Sequence, residues 1–205
     1  LRKIHWPTSA KQNKLMGRHF EQSSSYMGSI FLDLNKSNNM GEGKHKTLEY
    51  AIKITASLSE HLINTGGNVQ VLAYSDTPLI SSFGQTKEHH TMILEAISVL
   101  ESNSQVSLSE SLGVLGPFVP ASSSLIIFVM DNDIDTQNSL RLLAVKKDLF
   151  IIEIIMISSS FKNLSPSASI SPLSYEPPNI LKYYVGYKDP LGEVFMQSGV
   201  TLGTH

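Results

Sequence analysis

The chain has 205 residues, a length that suits one α/β domain or at most two small ones. Sixteen Lys and Arg against eighteen Asp and Glu give a formal net charge of −2 at pH 7, so the composition offers no basic excess for a nucleic-acid backbone. The absence of Cys excludes disulfides, thiol nucleophiles and thiolate metal centres. A hydrophobic share of 41% with a charged share of 17% predicts a globular chain with its own core.

The first half of the chain predicts one lead-in segment followed by a strand and a helix. Residues 1–25 are polar with isolated apolar anchors, and we expect them to pack on the domain as a lead-in. Residues 26–33 form a nearly continuous apolar run that ends in Asp33, which is typical of a strand buried on both faces. After a loop rich in Asn, Ser and Gly over 35–43, apolar residues at three- and four-residue steps predict a helix over 48–63.

The same alternation continues towards the middle of the chain. Strands are predicted over 69–74 and 79–83, and helical spacing returns between Met92 and Leu100. The leucines at positions 108, 112 and 115 predict a further short helix, which Gly116 and Pro117 close.

A second buried strand, 124–130, also ends in acid, at Asp131-Asn132-Asp133. A helix over 136–147 and a strand over 151–157 follow. Strands that alternate with helices predict an α/β fold, a doubly wound and mainly parallel sheet of about six strands with helices on both faces. We expect this domain to span 26–205 and to carry a Ser- and Pro-rich surface loop near 158–178.

Both acidic strand ends belong at the carboxyl edge of such a sheet, where ligands of open α/β folds bind. Asp33-Leu34-Asn35-Lys36-Ser37 places an oxygen-bearing side chain at every second position, a pattern that can converge on one hard cation. The alternative interpretation is that these residues only turn the chain and cap the next helix. Other nucleotide and hydrolase motifs fail, because Gly41-Glu42-Gly43-Lys44-His45 lacks the spacing of a phosphate loop and no Gly-x-Ser-x-Gly elbow occurs.

Two features together resemble a known family. Ile4-His5-Trp6, with Ser9-Ala10 and the segment 15–21, precedes the buried strand that leads into Asp33. This order resembles the bacterial DUF58 family, whose members carry such a segment ahead of a von Willebrand factor A-like domain. The resemblance implies that fold for the chain. It also implies a parent protein anchored in a membrane through an upstream region, with this part of it cytoplasmic.

The von Willebrand A resemblance further implies a metal-ion-dependent adhesion site. Asp33 and Ser37 match its first motif, in which Asn35 replaces the middle Ser, and Asp131 matches its second acid. Val106 stands where the motif has Thr, with Ser107 next to it. The resemblance therefore implies a degenerate metal site, at which we expect Mg²⁺ to bind weakly or not at all. Its ligand set would be Asp33, Asn35, Ser37, Ser107 and Asp131.

The implied function is binding and assembly without catalysis, with a MoxR-type AAA ATPase as the protein partner, no nucleic acid, and no membrane-spanning segment in this chain. We expect the partner to dock on the loops 35–44, 104–109 and 131–135, which we call the carboxyl edge. Two alternatives stay open. One is a metal-assisted phosphoester hydrolase that uses Asp33, Asp131 and Asp133 around Mg²⁺. The other is a purely structural domain.

Overall fold

A computed structural model of the chain describes residues 26–75, 77–166, 173–176 and 179–189. The predicted lead-in segment 1–25 lies outside these residues, as does the end of the chain from residue 190.

One sheet runs through the described residues and has the strand order β3-β2-β1-β4-β5-β7-β6. Parallel pairing joins the five central strands, and the outermost strands β3 and β6 are antiparallel to their neighbours. This arrangement confirms the mainly parallel α/β sheet, with seven strands in place of about six. The strands are β1 (Met27–Asp33), β2 (Asn68–Tyr74), β3 (Pro78–Ile80), β4 (Ser124–Met130), β5 (Phe150–Met156), β6 (Leu173–Glu176) and β7 (Ile180–Val185).

Five α-helices of the described residues pack on the two faces of the sheet. None of them is both long and apolar enough to cross a bilayer. They are α1 (Thr47–Asn64), α2 (Lys87–Ser98), α3 (Leu108–Leu115), α4 (Ile134–Lys147) and α5 (Ser158–Asn163).

Alternating side chains of the strands feed two separate cores. On one face, Ile30 and Ile154 pack with apolar residues of α1 and α2, such as Ile54 and Ile93. On the other, Phe31, Ile127 and Ile151 pack with α3 and α4. Both faces of the central strands are therefore buried. This explains why the sequences of these strands are continuous apolar runs and do not alternate between apolar and polar residues.

The segment predicted as a surface loop over 158–178 differs from that expectation. It begins with α5, in which Phe161 is fully buried and meets the Tyr50 ring edge-on at a centroid distance of 5.0 Å. It also contains β6, which pairs with β7. The sequence did not predict this helix, because Ser and Pro dominate the segment and the single apolar anchor, Phe161, gives no periodic pattern.

The candidate site lies where two central strands part. The pairing of β1 with β4 ends at Phe31 and Ile127, although β1 continues to Asp33 and β4 to Met130. The crossover after β1 leads to β2 on one side, whereas β4 lies on the other. The fold therefore opens a crevice at the carboxyl ends of β1 and β4, at a topological switch point.

Candidate functional site

Asp33 is the last residue of β1 and the centre of the crevice. Its Oδ1 accepts a hydrogen bond from the backbone N–H of Asn35 at 2.9 Å. Its Oδ2 accepts one from Asn38 Nδ2 at 2.7 Å. The loop after β1 therefore folds back over the carboxylate and holds it in one orientation.

The environment of this carboxylate opposes its negative charge. Burial raises the pKa of Asp33 to about 6, the hydrogen bonds from Asn38 and Asn35 act to lower it, and the nearby charge of Asp133 raises it again. Two hydrogen bonds thus compensate the loss of water only in part. At pH 7 Asp33 is ionised, at a cost to the folded state.

Asn35 and Ser37, both predicted as metal ligands, bond to each other. Asn35 Oδ1 accepts from the backbone N–H of Ser37 at 2.8 Å and from the Ser37 hydroxyl. Asn35 Nδ2 donates to the carbonyl oxygen of Val106 at 2.8 Å. Val106 has no side-chain oxygen, but its backbone joins the loop before α3 to the loop after β1.

Backbone hydrogen bonds hold these two loops together. The N–H of Lys36 donates to the Ser104 carbonyl at 2.9 Å, and the N–H of Ser104 donates to the Leu34 carbonyl at 3.0 Å. The Ser102 hydroxyl adds a bond to the Asn35 carbonyl at 2.9 Å. Hydrogen bonds therefore hold two loops of the carboxyl edge, the loop after β1 and the loop before α3, in a fixed backbone arrangement that carries exposed side chains.

The Ser107 hydroxyl caps helix α3 and is not part of the crevice around Asp33. It is the N-cap residue, and its hydroxyl accepts from the N–H of Glu110 at 3.2 Å. The Glu110 carboxylate in turn accepts from the Ser107 hydroxyl at 2.8 Å and from its N–H at 3.0 Å. This reciprocal capping box engages the hydroxyl that the sequence suggested as a ligand.

Asp131 follows β4 but turns towards β5. Its Oδ1 accepts from the N–H of Ser158, the first residue of α5, at 3.1 Å. Because β5 and β1 flank β4 on opposite sides, this bond directs the carboxylate away from Asp33. The second carboxylate that acts on Asp33 is that of Asp133.

Asp133 is itself the N-cap of α4. Its two carboxylate oxygens accept from the Thr136 N–H at 3.0 Å and from the Thr136 hydroxyl at 2.7 Å. Replacing Asp133 by Ala should lower the free energy of unfolding by about 1–2 kcal/mol, since the first turn of α4 loses its cap. Urea denaturation measures this. Asp135→Ala, in the same turn but without a capping contact, should stay within about 0.5 kcal/mol of the parent, and equal losses in both variants would contradict the cap.

The predicted ligand set fits a divalent ion poorly. Both Asp33 oxygens face N–H groups, Asn35 and Ser37 bond to each other, and Ser107 and Asp131 are engaged elsewhere. Within the part of the chain that the structure describes, no three His, Asp or Glu side chains are grouped to hold a metal. Mg²⁺ demands near-ideal octahedral geometry. Weak Mg²⁺ binding stays a prediction.

Two residues that shape this site were not among the predicted ligands. Asn38 fixes the Asp33 carboxylate, and Ser102 anchors the loop before α3. Asn38 lies five positions after Asp33, outside the every-second-residue pattern, and Ser102 is 69 positions away. Only the fold brings them together.

Comparison with solved structures shows the same fold. A conserved hypothetical protein BatB from Bacteroides thetaiotaomicron matches with a TM-score of 0.53 and 12% identity, over 84% of this chain and 96% of that one. The pilus adhesin SpaC from Lactobacillus rhamnosus GG matches with a TM-score of 0.51 and 6% identity, over 70% of this chain and 26% of that one. No curated protein matches the sequence. These likenesses agree with the von Willebrand A-like fold expected from the sequence.

The family comparison completes the assignment. The model described as "Protein of unknown function DUF58" matches residues 1–158, which include the lead-in segment and the sheet as far as β5. The motifs around Trp6 and Asp33 fall inside this match. The chain therefore belongs to the DUF58 family.

Proposed function

We propose that this chain is a protein-binding and assembly domain, and that its carboxyl edge docks a MoxR-type AAA ATPase. The observation that carries the proposal is the set of hydrogen bonds that fixes the loop after β1 against the loop before α3. Lys36, Ser37 and Gln105 expose their side chains on a backbone that hydrogen bonds hold between β1 and α3. A preordered loop surface loses little conformational entropy when a partner binds.

The loop geometry supports a fixed surface. Gly41 has a φ of +96°, and a Cβ atom there would collide with the His45 carbonyl oxygen. The Thr47 hydroxyl donates to the Asn38 carbonyl at 2.7 Å and accepts from the Met40 N–H at 3.2 Å. The turn that contains Gly41 is thus held against Thr47, the first residue of α1.

The carboxylates support binding better than catalysis. Asp33 accepts two hydrogen bonds, Asp133 caps α4, and Asp131 bonds to the start of α5. A phosphoester hydrolase would need these three groups to converge on a metal. Their different partners favour the binding function.

The choice of partner rests on the family. The resemblance to that family implies a MoxR-type AAA ATPase as the partner. Such an ATPase would use this domain as an adaptor in assembling or activating other complexes. The parent protein would present the domain on the cytoplasmic side of a membrane.

The test is equilibrium binding between the full-length parent protein and the purified MoxR-type ATPase of the same organism. Gln105→Arg should weaken binding at least about tenfold, because a long charged side chain would project from the loop before α3 into the docking surface. Asn64→Arg is the matched control, because Asn64 is exposed at the opposite end of α1. This variant should bind the ATPase with the affinity of the unmutated protein.

Two results would contradict the proposal. If the unmodified protein does not bind the ATPase, the assigned partner is wrong. If Gln105→Arg binds with unchanged affinity, the carboxyl edge is not the docking surface.

A further inference from the structure

A narrow pocket, here called the Asp33 pocket, opens where β1 and β4 part. Its space of about 20 Å³ admits roughly one water-sized group. Partly exposed polar residues lie at its mouth, and buried apolar residues form its wall. The mouth includes Asp33, Asn38 and Ser102, and the wall includes Leu48, Phe128 and Met156.

Several hydrogen-bond donors of the pocket are engaged within the protein. Asn38 Nδ2 donates to Asp33, the Ser102 hydroxyl donates to the Asn35 carbonyl, and the Thr47 hydroxyl donates to the Asn38 carbonyl. The remaining capacity is that of acceptors, since each carboxylate oxygen has a second lone pair and the Asn38 Oδ1 and Ser102 Oγ also accept. These acceptors, together with the charge of Asp33, favour a ligand that donates hydrogen bonds.

The Asp33 carboxylate makes the charge at the pocket negative. Among the described residues, the ion pair found joins Lys182 to Glu153 in β7 and β5, and none involves Asp33. The Asp133 carboxylate adds to the negative field. The apolar wall excludes water and so strengthens the attraction for a cation.

Size and shape select among cations. An ammonium group is close to a water molecule in size and presents three donors, whereas a guanidinium is planar and larger. Mg²⁺ usually keeps several of its waters, and a space for about one water-sized group does not admit them. We infer that the Asp33 pocket binds the ammonium group of a lysine side chain of the partner protein; this rests on the proposed function.

The experiment follows the Asn38 side-chain amide by NMR in the ¹⁵N-labelled chain at pH 7 and constant ionic strength. The probe is n-butylammonium chloride, which carries the end of a lysine side chain. We expect a saturable shift of the Asn38 signals. Asp33→Asn should weaken this binding about tenfold or more, because a charge-assisted hydrogen bond is lost. Glu60→Gln removes the same charge near the far end of α1 and should leave binding unchanged.

Ser102→Ala provides a second variant, since it removes one acceptor, together with the bond of this hydroxyl to the Asn35 carbonyl, without changing the charge. It should weaken binding about threefold. The inference is overturned if n-butylammonium gives no saturable shift, if guanidinium or magnesium chloride binds as well, or if Asp33→Asn and Glu60→Gln behave alike. The proposed function fails separately, because Gln105→Arg tests the docking surface without reference to lysine.

Discussion

Asp33→Asn should make the domain more stable at pH 7, by about 1–3 kcal/mol in the free energy of unfolding. The reason is that burial raises the pKa of Asp33 to about 6. Asn has the same shape and no charge. The Asn38 amide can turn by 180° and accept from the new side-chain N–H, so both hydrogen bonds of the position persist.

The pH dependence has a definite sign. A carboxyl group with a raised pKa binds its proton more tightly in the folded than in the unfolded chain. Its contribution to stability is therefore fully present below about pH 4 and is lost as the pH rises towards about 6 and beyond. The gain from Asp33→Asn should be largest at pH 7 and small at pH 4.

Urea denaturation of the two proteins between pH 4 and pH 7 measures this difference. Glu60→Gln, which removes one exposed charge, serves as the control and should show no comparable pH-dependent gain. An Asp33→Asn variant less stable than the parent at pH 7 would mean that the carboxylate holds the loop after β1 together more than its burial opposes folding.

Lys147→Met should lower the free energy of unfolding by about 2–3 kcal/mol. Lys147, the last residue of α4, donates through Nζ to three carbonyl oxygens that follow α3. The acceptors are Gly116 at 2.8 Å, Pro117 at 3.2 Å and Val119 at 2.6 Å. The ammonium group thus satisfies carbonyls at a helix end, where positive charge is favoured. Met keeps the apolar stem and removes all three bonds.

Lys146→Met is the matched control, because the Lys146 side chain is exposed in the same helical turn and makes no hydrogen bond to a described residue. It should change stability by less than about 0.5 kcal/mol. Thermal and urea unfolding of both variants would reveal the difference. Equal effects would show that the loss came from the helix charge and not from the three carbonyl contacts.

The fold could be predicted from the sequence because strands that are buried on both faces are continuous apolar runs. The strand over 124–130 was predicted with the bounds that the structure has, and the helix over 48–63 lies within α1 (Thr47–Asn64). Helix α4 begins two residues before the predicted start at Thr136, since Asp133 caps it. Capping depends on one hydrogen bond, which periodicity does not report.

The site was predictable in position and not in detail. That Asp33 and the loop before α3 meet at the carboxyl edge follows from parallel strands. The direction in which each side chain points does not follow from the strand arrangement. Asp131 turns to Ser158, and Ser107 bonds to Glu110, because the nearest backbone and capping partners decide the orientation of a short polar side chain.

The central claim is that Asp33 serves partner binding at a cost to the stability of the fold. The most direct measurement is the dissociation constant of the full-length protein with the purified MoxR-type ATPase at pH 7, for the parent and for Asp33→Asn. The account predicts that the variant binds at least about tenfold more weakly, although its fold is more stable. An unchanged dissociation constant in a folded Asp33→Asn variant would contradict it.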